Sequence, residues 1–184
     1  GVDLLASVRR RGARVVVITN SLASTDGIPV HSKYQGYRKA LVQAGVELYE
    51  LKPTAGAQHG GQSGGFRGLS GPGGSGSASL HAKTFAFDRQ IGFIGSYNLD
   101  PRSSKLNTEM GVIFDCPKLA RRLPETLDRD IAQNAYRVEL VGNRLVWVTR
   151  EGGKEVRFDS EPGAVLGKRI KVRVLSWLPI EGLL

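Results

Sequence analysis

Apolar residues at Val2, Leu4, Leu5 and Val8 recur with helical spacing, and the pattern stops at Gly12 after three arginines, where cations suit the negative end of a helix. Arg14 to Thr19 then carries Val15-Val16-Val17-Ile18 without alternation, as a parallel strand covered on both faces does. Lys33 to Ala44 predicts a second helix. Ser32 is its expected N-cap, Tyr34, Tyr37, Leu41 and Ala44 its apolar side and Gly45 its stop. Val46 to Leu51 predicts the next strand. Further strands are expected over Ala82–Phe87, Ile91–Ile94 and Leu106–Phe114, the first two joined by a turn at Asp88-Arg89-Gln90. Leu119, Leu123, Leu127 and Ile131 place a helix over 117–134, with a break or kink at Pro124. Tyr136–Val141, Leu145–Thr149 and Glu155–Phe158 form a β-meander turning at Gly142-Asn143 and Gly152-Gly153. The series predicts an α/β domain: a layered mixed β-sheet flanked by helices, with a C-terminal β-meander and helix.

That last helix, Val165 to Trp177, sets Leu166, Ile170, Val174 and Trp177 on one side and Lys168, Lys171 and Arg173 elsewhere. Two readings fit it. The helix packs on the domain core, the more common outcome for such a helix, or it lies on lipid.

Between Gly56 and Ser79 ten glycines and five serines leave almost nothing to pack. So little apolar surface cannot offset backbone ordering at roughly 1–2 kcal/mol per residue, which makes 56–79 a flexible Gly/Ser-rich loop. It lacks the Gly-x-x-x-x-Gly-Lys-Ser/Thr pattern of a phosphate cradle. The 184 residues otherwise suit one domain spanning 1–184, and the Gly1-Val2-Asp3 start reads as an excised piece of a longer protein.

Charge narrows the partners. Lys and Arg number 26 against 17 Asp and Glu, a formal net charge of +9 that favours an anionic partner. The excess is not a tail, since residues 1–55 carry eight basic and four acidic side chains and residues 116–184 thirteen and nine. A lone Cys116 rules out a disulfide framework and a Cys-rich metal site. No apolar stretch reaches the 18 or more residues of a membrane span.

The chemistry concentrates in HAKTFAFDRQIGFIGSYNLDPRSSKLNTE, residues 81–109. Side chains two apart on a strand share a face, so His81 and Lys83 can converge on one small ligand. Imidazole beside ammonium suits a phosphate: the ring attacks phosphorus or moves a proton, and the cation neutralises a non-bridging oxygen. Gly95 permits close backbone approach, and Ser96 and Asn98 can donate to the remaining oxygens. Glu109 is placed to accept from the other ring nitrogen and to orient His81. A His-x-Lys pair alone is usually a pair of surface side chains.

Taken together, His81-x-Lys83-x(4)-Asp88-x(6)-Gly95-Ser96-x-Asn98 resembles the HKD signature of the phospholipase D superfamily. KYQGYRKALVQAGVELYELKP, GSYNLDPRSSKLNTEMGVIFD and VRVLSWLPIEGLL are similar to the C-terminal half of bacterial cardiolipin-synthase-type members. The resemblance implies a phosphatidyltransferase working through a phosphohistidine at the membrane surface, with no cofactor and no metal. Catalytic roles fall to His81, Lys83 and Glu109, phosphate binding to Lys83, Ser96 and Asn98, and structural roles to Asp88 and Gly95. Members pair two such motifs, one histidine as nucleophile and the other as general acid and base, His81 more often the latter.

This chain shows one motif, so its expected partners are the missing first half of the same protein or a homodimer mate, a phospholipid substrate and a membrane surface. The expected location is cytoplasmic, peripheral to a bacterial inner membrane. A phosphodiesterase or nuclease on the same site is the alternative, with nucleic acid the less favoured partner; a non-catalytic anion-binding module is the third reading. His31-Ser32-Lys33 repeats His-x-Lys without the rest of the signature, and His31 is expected at a loop or helix start near the site rim. His59 falls in the Gly-rich loop and is expected to be uninvolved.

Overall fold

The structure, a computed structural model, describes residues 1–54 and 80–178. The expected loop at 56–79, with His59, lies outside them. Helix α1 (Val2–Arg10) leads into β1 (Val16–Asn20), α2 (Ile28–Gln43) and β2 (Glu47–Leu51). After the gap come β3 (Lys83–Phe87), β4 (Ile91–Gly95), the short α3 (Pro101–Lys105) and β5 (Gly111–Asp115). Helices α4 (Pro117–Ala120) and α5 (Arg122–Asn134), strands β6 (Ala135–Val141), β7 (Arg144–Glu151) and β8 (Lys154–Phe158), and helix α6 (Leu166–Ser176) complete the order.

Two sheets result. One is five-stranded and mixed, in the order β1-β2-β6-β7-β8, with β1 and β2 parallel and the meander antiparallel. The other, β3-β4-β5, is antiparallel throughout. Alternation along β2 assigns the layers. Leu48 packs with Leu41, Val46, Tyr136, Val138 and Trp147 beneath α1 and α2, while Tyr49 and Leu51 face Leu127 and Ile131 of α5. The α/β architecture is the expected one.

Several local expectations are corrected. β1 is an edge strand, paired only with β2, so Val16 stays 37% exposed where full burial was expected. Helix α2 begins at Ile28, because Pro29 presets the first turn. Ser32 is therefore not the N-cap; it is buried inside the helix and donates to Pro29 O at 2.6 Å. Tyr37, placed by periodicity on the apolar side, is 44% exposed, and Arg38 takes the inward position. The helix over 117–134 does break, but at Arg121. Pro124 falls in the first turn of α5, where its missing N–H and its ring bar a bond to Ala120 O and separate α4 from α5. The strand expected from Leu106 begins only at Gly111, because Pro101–Lys105 closes into a helical turn capped by Asp100, whose carboxylate accepts from the Ser103 N–H at 2.7 Å.

Helix α6 packs on the domain against α2, as the favoured reading has it, but not through its apolar side. Val172, 1% exposed, is its buried apolar contact, whereas Leu166 and Trp177 are 71% and 81% exposed. Polar ties fix this orientation: Lys168 Nζ donates to Thr25 O at 2.8 Å, Arg169 to Glu161 O at 2.6 Å, and Lys33 Nζ to Leu178 O at 2.6 Å.

Candidate active site

The three-stranded sheet gathers the signature at one end. Register places Lys83 opposite Gly95 and Gly95 opposite Gly111, so the start of β3, the end of β4 and the start of β5 lie side by side. His81 precedes this line by two residues, Ser96 follows it by one, and Glu109 precedes Gly111 by two. Gly95 has no room for a side chain, since a Cβ there would lie 2.4 Å from Met110 O and 2.7 Å from Gly111 Cα. At Gly111 a Cβ would sit 2.2 Å from the Phe93 ring. The strands approach closely only because these positions are bare.

Lys83 Nζ lies 3.2 Å from His81 Nε2 and donates to His81 O at 3.1 Å. Both side chains project from the same margin, with the imidazole exposed. Across the sheet, Ser96 Oγ donates to Glu109 Oε2 at 2.5 Å and accepts from the Met110 N–H at 3.0 Å. Asn107 Nδ2 donates to Glu109 Oε1 at 3.2 Å. The Ser96 hydrogen bond, foremost, holds the Glu109 carboxyl below the usual range, and the Lys83 ammonium works in the same direction. The buried Ser103 hydroxyl has no hydrogen-bond partner among the described residues.

The expected hydrogen bond between Glu109 and His81 is not made: Ser96 and Asn107 occupy the carboxylate. For the same reason Ser96 spends its hydroxyl proton on Glu109, which leaves its side chain no free donor toward an anion. Asn98 is exposed in the β4–α3 loop, its amide without a hydrogen bond among the described residues. Tyr97 Oη and Ser104 Oγ, 2.8 Å apart, brace that loop. Asp88 sits at the far end of β3 from His81, in the hairpin turn closed by Gln90 N–H to Phe87 O at 3.0 Å. With φ of 50° and 57°, Asp88 and Arg89 both occupy left-handed space, which Asp tolerates better than most residues.

His31 is not at a rim. It is 3% exposed in the first turn of α2, within a buried polar network. Glu50, fully buried, accepts from Arg38 Nε at 2.6 Å, Tyr34 Oη at 2.8 Å and Trp147 Nε1 at 2.9 Å. Arg38 also pairs with Glu161 at 2.6 Å and reaches His31 Nε2 at 2.8 Å. His31 Nε2 thus lies between the Arg38 guanidinium and, at 3.4 Å, the Glu161 carboxylate.

Sequence reasoning missed Asn20. Its side-chain amide donates to Leu80 O at 2.9 Å and accepts from the Leu80 N–H at 2.7 Å, a two-point clamp on the residue before His81. A strand-terminal Asn carries no periodic signal for such a role. The Glu50 network did leave one, an acidic residue alternating with Leu48 on the inward face of a strand.

The family described as cardiolipin synthase, phospholipase D-like domain, matches residues 1–131. The chain belongs to this family. It is 42% identical along its whole length to cardiolipin synthase C of Escherichia coli, of which it spans 38%. It is also 34% identical to an uncharacterized protein of Helicobacter pylori, over 83% of this chain and 28% of that protein. Cardiolipin synthase A of Buchnera aphidicola subsp. Schizaphis graminum is 29% identical over 66% of this chain and 20% of that protein. The chain thus spans well under half of the curated relatives it matches. No solved structure matches it. In this phospholipase D-like domain no group of three or more His, Cys, Asp or Glu among the described residues could hold a metal ion.

Proposed function

We propose that this domain supplies one half-site of a phosphatidyltransferase of the cardiolipin-synthase type, as the second half of a longer two-motif protein. The observation that carries the reading is the convergence at one sheet end of the His81 imidazole, the Lys83 ammonium 3.2 Å from it, and the Ser96–Glu109 pair. In the reaction an imidazole nitrogen attacks phosphorus, forming an N–P bond as the P–O bond to the departing alcohol breaks. The second histidine gives that alcohol its proton. It then takes the proton of the incoming alcohol, whose oxygen forms the new P–O bond as N–P breaks.

His81 acts here as general acid and base. Lys83, turned from the ring to a phosphoryl oxygen, and the exposed Asn98 amide hold the substrate. Ser96 serves that pocket by fixing Glu109, whose anionic carboxylate adds to the field that orients and stabilises a cationic His81. The other histidine comes from a second such unit, the first half of the same protein or a second copy. The site works on phospholipid at the cytoplasmic face of the inner membrane, where a +9 surface is drawn to anionic headgroups.

Labelled phosphatidylglycerol and single-stranded DNA, offered separately to the protein that carries this chain, test the reading. Lipid transfer is expected, with His81→Ala lowering its rate by roughly 10²–10⁴. DNA hydrolysis without lipid product would transfer the same chemistry to a nuclease, and near-normal turnover in the variant would leave only an anion-binding module.

A further inference from the structure

We infer that the outward face of α6 is a lipid-docking surface which seats the domain on an anionic membrane with its phosphodiester site turned toward the bilayer. The inference rests on the lipid reading above and deepens it. Leu166, Ile170, Val174 and Trp177, at steps of four, four and three, form one apolar stripe on α6, and they are 71%, 55%, 54% and 81% exposed. An amphipathic helix ordinarily turns such a stripe inward. Here Lys168, Arg169 and Lys33 hold the opposite side to the domain through backbone carbonyls, so the stripe is presented outward by specific contacts.

Charge decides the occupant. From Val165 to Leu178 there are four basic residues and no acidic one. Two of the four, Lys168 and Arg169, are engaged with the domain. The other two, Lys171 and Arg173, are exposed and flank the stripe on its two sides. An apolar ridge between cations, ending in an exposed Trp, fits the boundary of headgroups and acyl chains, where long cationic side chains reach back to phosphate and indole prefers the interface.

Position supports the same occupant. Lys168 binds the carbonyls of Ala23 and Thr25 in the segment leaving β1, and Asn20, the last residue of β1, clamps Leu80 beside His81. Helix and site are thus both anchored to residues 20–25 at the end of β1, which sets the docking face near the phosphodiester site.

The test uses the protein that carries this chain, with an environment-sensitive fluorophore on the thiol of Val174→Cys in a Cys116→Ser background. Vesicles of phosphatidylcholine containing 30% phosphatidylglycerol should shift its emission to the blue, and brominated lipids should quench it. Charge neutralisation by Lys171→Gln with Arg173→Gln should weaken partitioning onto these vesicles about thirtyfold, at the usual worth of two basic side chains near an anionic surface. Three results would overturn the inference: vesicle-bound protein with an unshifted, unquenched label, no binding at all, or a label already blue-shifted without lipid, which would mean that another part of the protein covers the stripe. Because turnover is not read, docking by a protein that transfers no phosphatidyl group would sink the proposed function and leave this surface standing.

Discussion

Arg38→Met is the sharpest test of what holds the domain together. Methionine keeps much of the apolar stem but removes a guanidinium that pairs with Glu50 at 2.6 Å and with Glu161 at 2.6 Å, both on the covered side of α2. Glu50 is fully buried and would keep only the Tyr34 and Trp147 donors. Breaking a buried pair by removing one partner costs about 3–5 kcal/mol, because an uncompensated charge remains. Hydrogen exchange of the β2 amides at pH 7 should accordingly speed up by roughly 10²–10⁴.

The pH dependence carries the sign. Burial pushes the Glu161 carboxyl up, but His31 and Arg38 bring it below the usual carboxylate range. A folded value below the unfolded one adds stability that is present above the unfolded pKa and is lost as pH falls through the folded one. In the variant burial acts on Glu161 unopposed by Arg38, its carboxylate binds a proton more readily when folded, and acid relieves the damage. The gap between parent and variant should therefore narrow as pH falls from 7 toward the carboxylate range. A gap under about 1 kcal/mol at pH 7, or one that ignores pH, would refute the account of a charge-paired core.

Gly95→Ala should force β4 and β5 apart at the Met110 carbonyl, 2.4 Å from the new Cβ, and lower stability by about 1–3 kcal/mol in thermal unfolding, with loss of transfer activity. Asn20→Ala removes both hydrogen bonds to Leu80; the expected signature is a fall of about tenfold or more in kcat with KM for lipid nearly unchanged, half-rescued by Asn20→Asp, which keeps only the acceptor. Ser96→Ala strips Glu109 of its foremost hydrogen bond, so the Glu109 carboxyl should rise toward its ordinary value and the acid limb of the rate profile should move to higher pH. An unmoved limb in that variant would show that Glu109 does not act through its charge.

Much of the fold is legible in one dimension because its cause is local. Val2–Val8 and Leu127–Ile131 repeat with helical period, and Gly12, Gly45, Gly142, Gly152 and Gly153 stop or turn the chain with the positive φ that only glycine takes freely. The hairpin at Asp88-Arg89 follows from the two short apolar strands on either side of it, whereas His81 lies two residues before β3 and meets Lys83 through side-chain contact. Boundaries slipped where a proline reached beyond its own position: Pro29 started a helix early, and Pro124 broke one three residues upstream.

Residue order alone determined the candidate residues and the family: the signature from His81 to Asn98, the acid at Glu109, the positive charge and the alternation of helix and strand. Tertiary structure decided who touches whom. It gave Glu109 to Ser96 in place of His81, buried His31 behind Arg38 and Glu161, tied Asn20 to Leu80 across sixty residues, and turned the apolar side of α6 outward. The physical reason is one of range. Periodicity and turn preference act between neighbours in the chain, whereas hydrogen bonds and ion pairs between distant segments depend on which donors the packing leaves unpaired, and that competition exists only once the chain has folded.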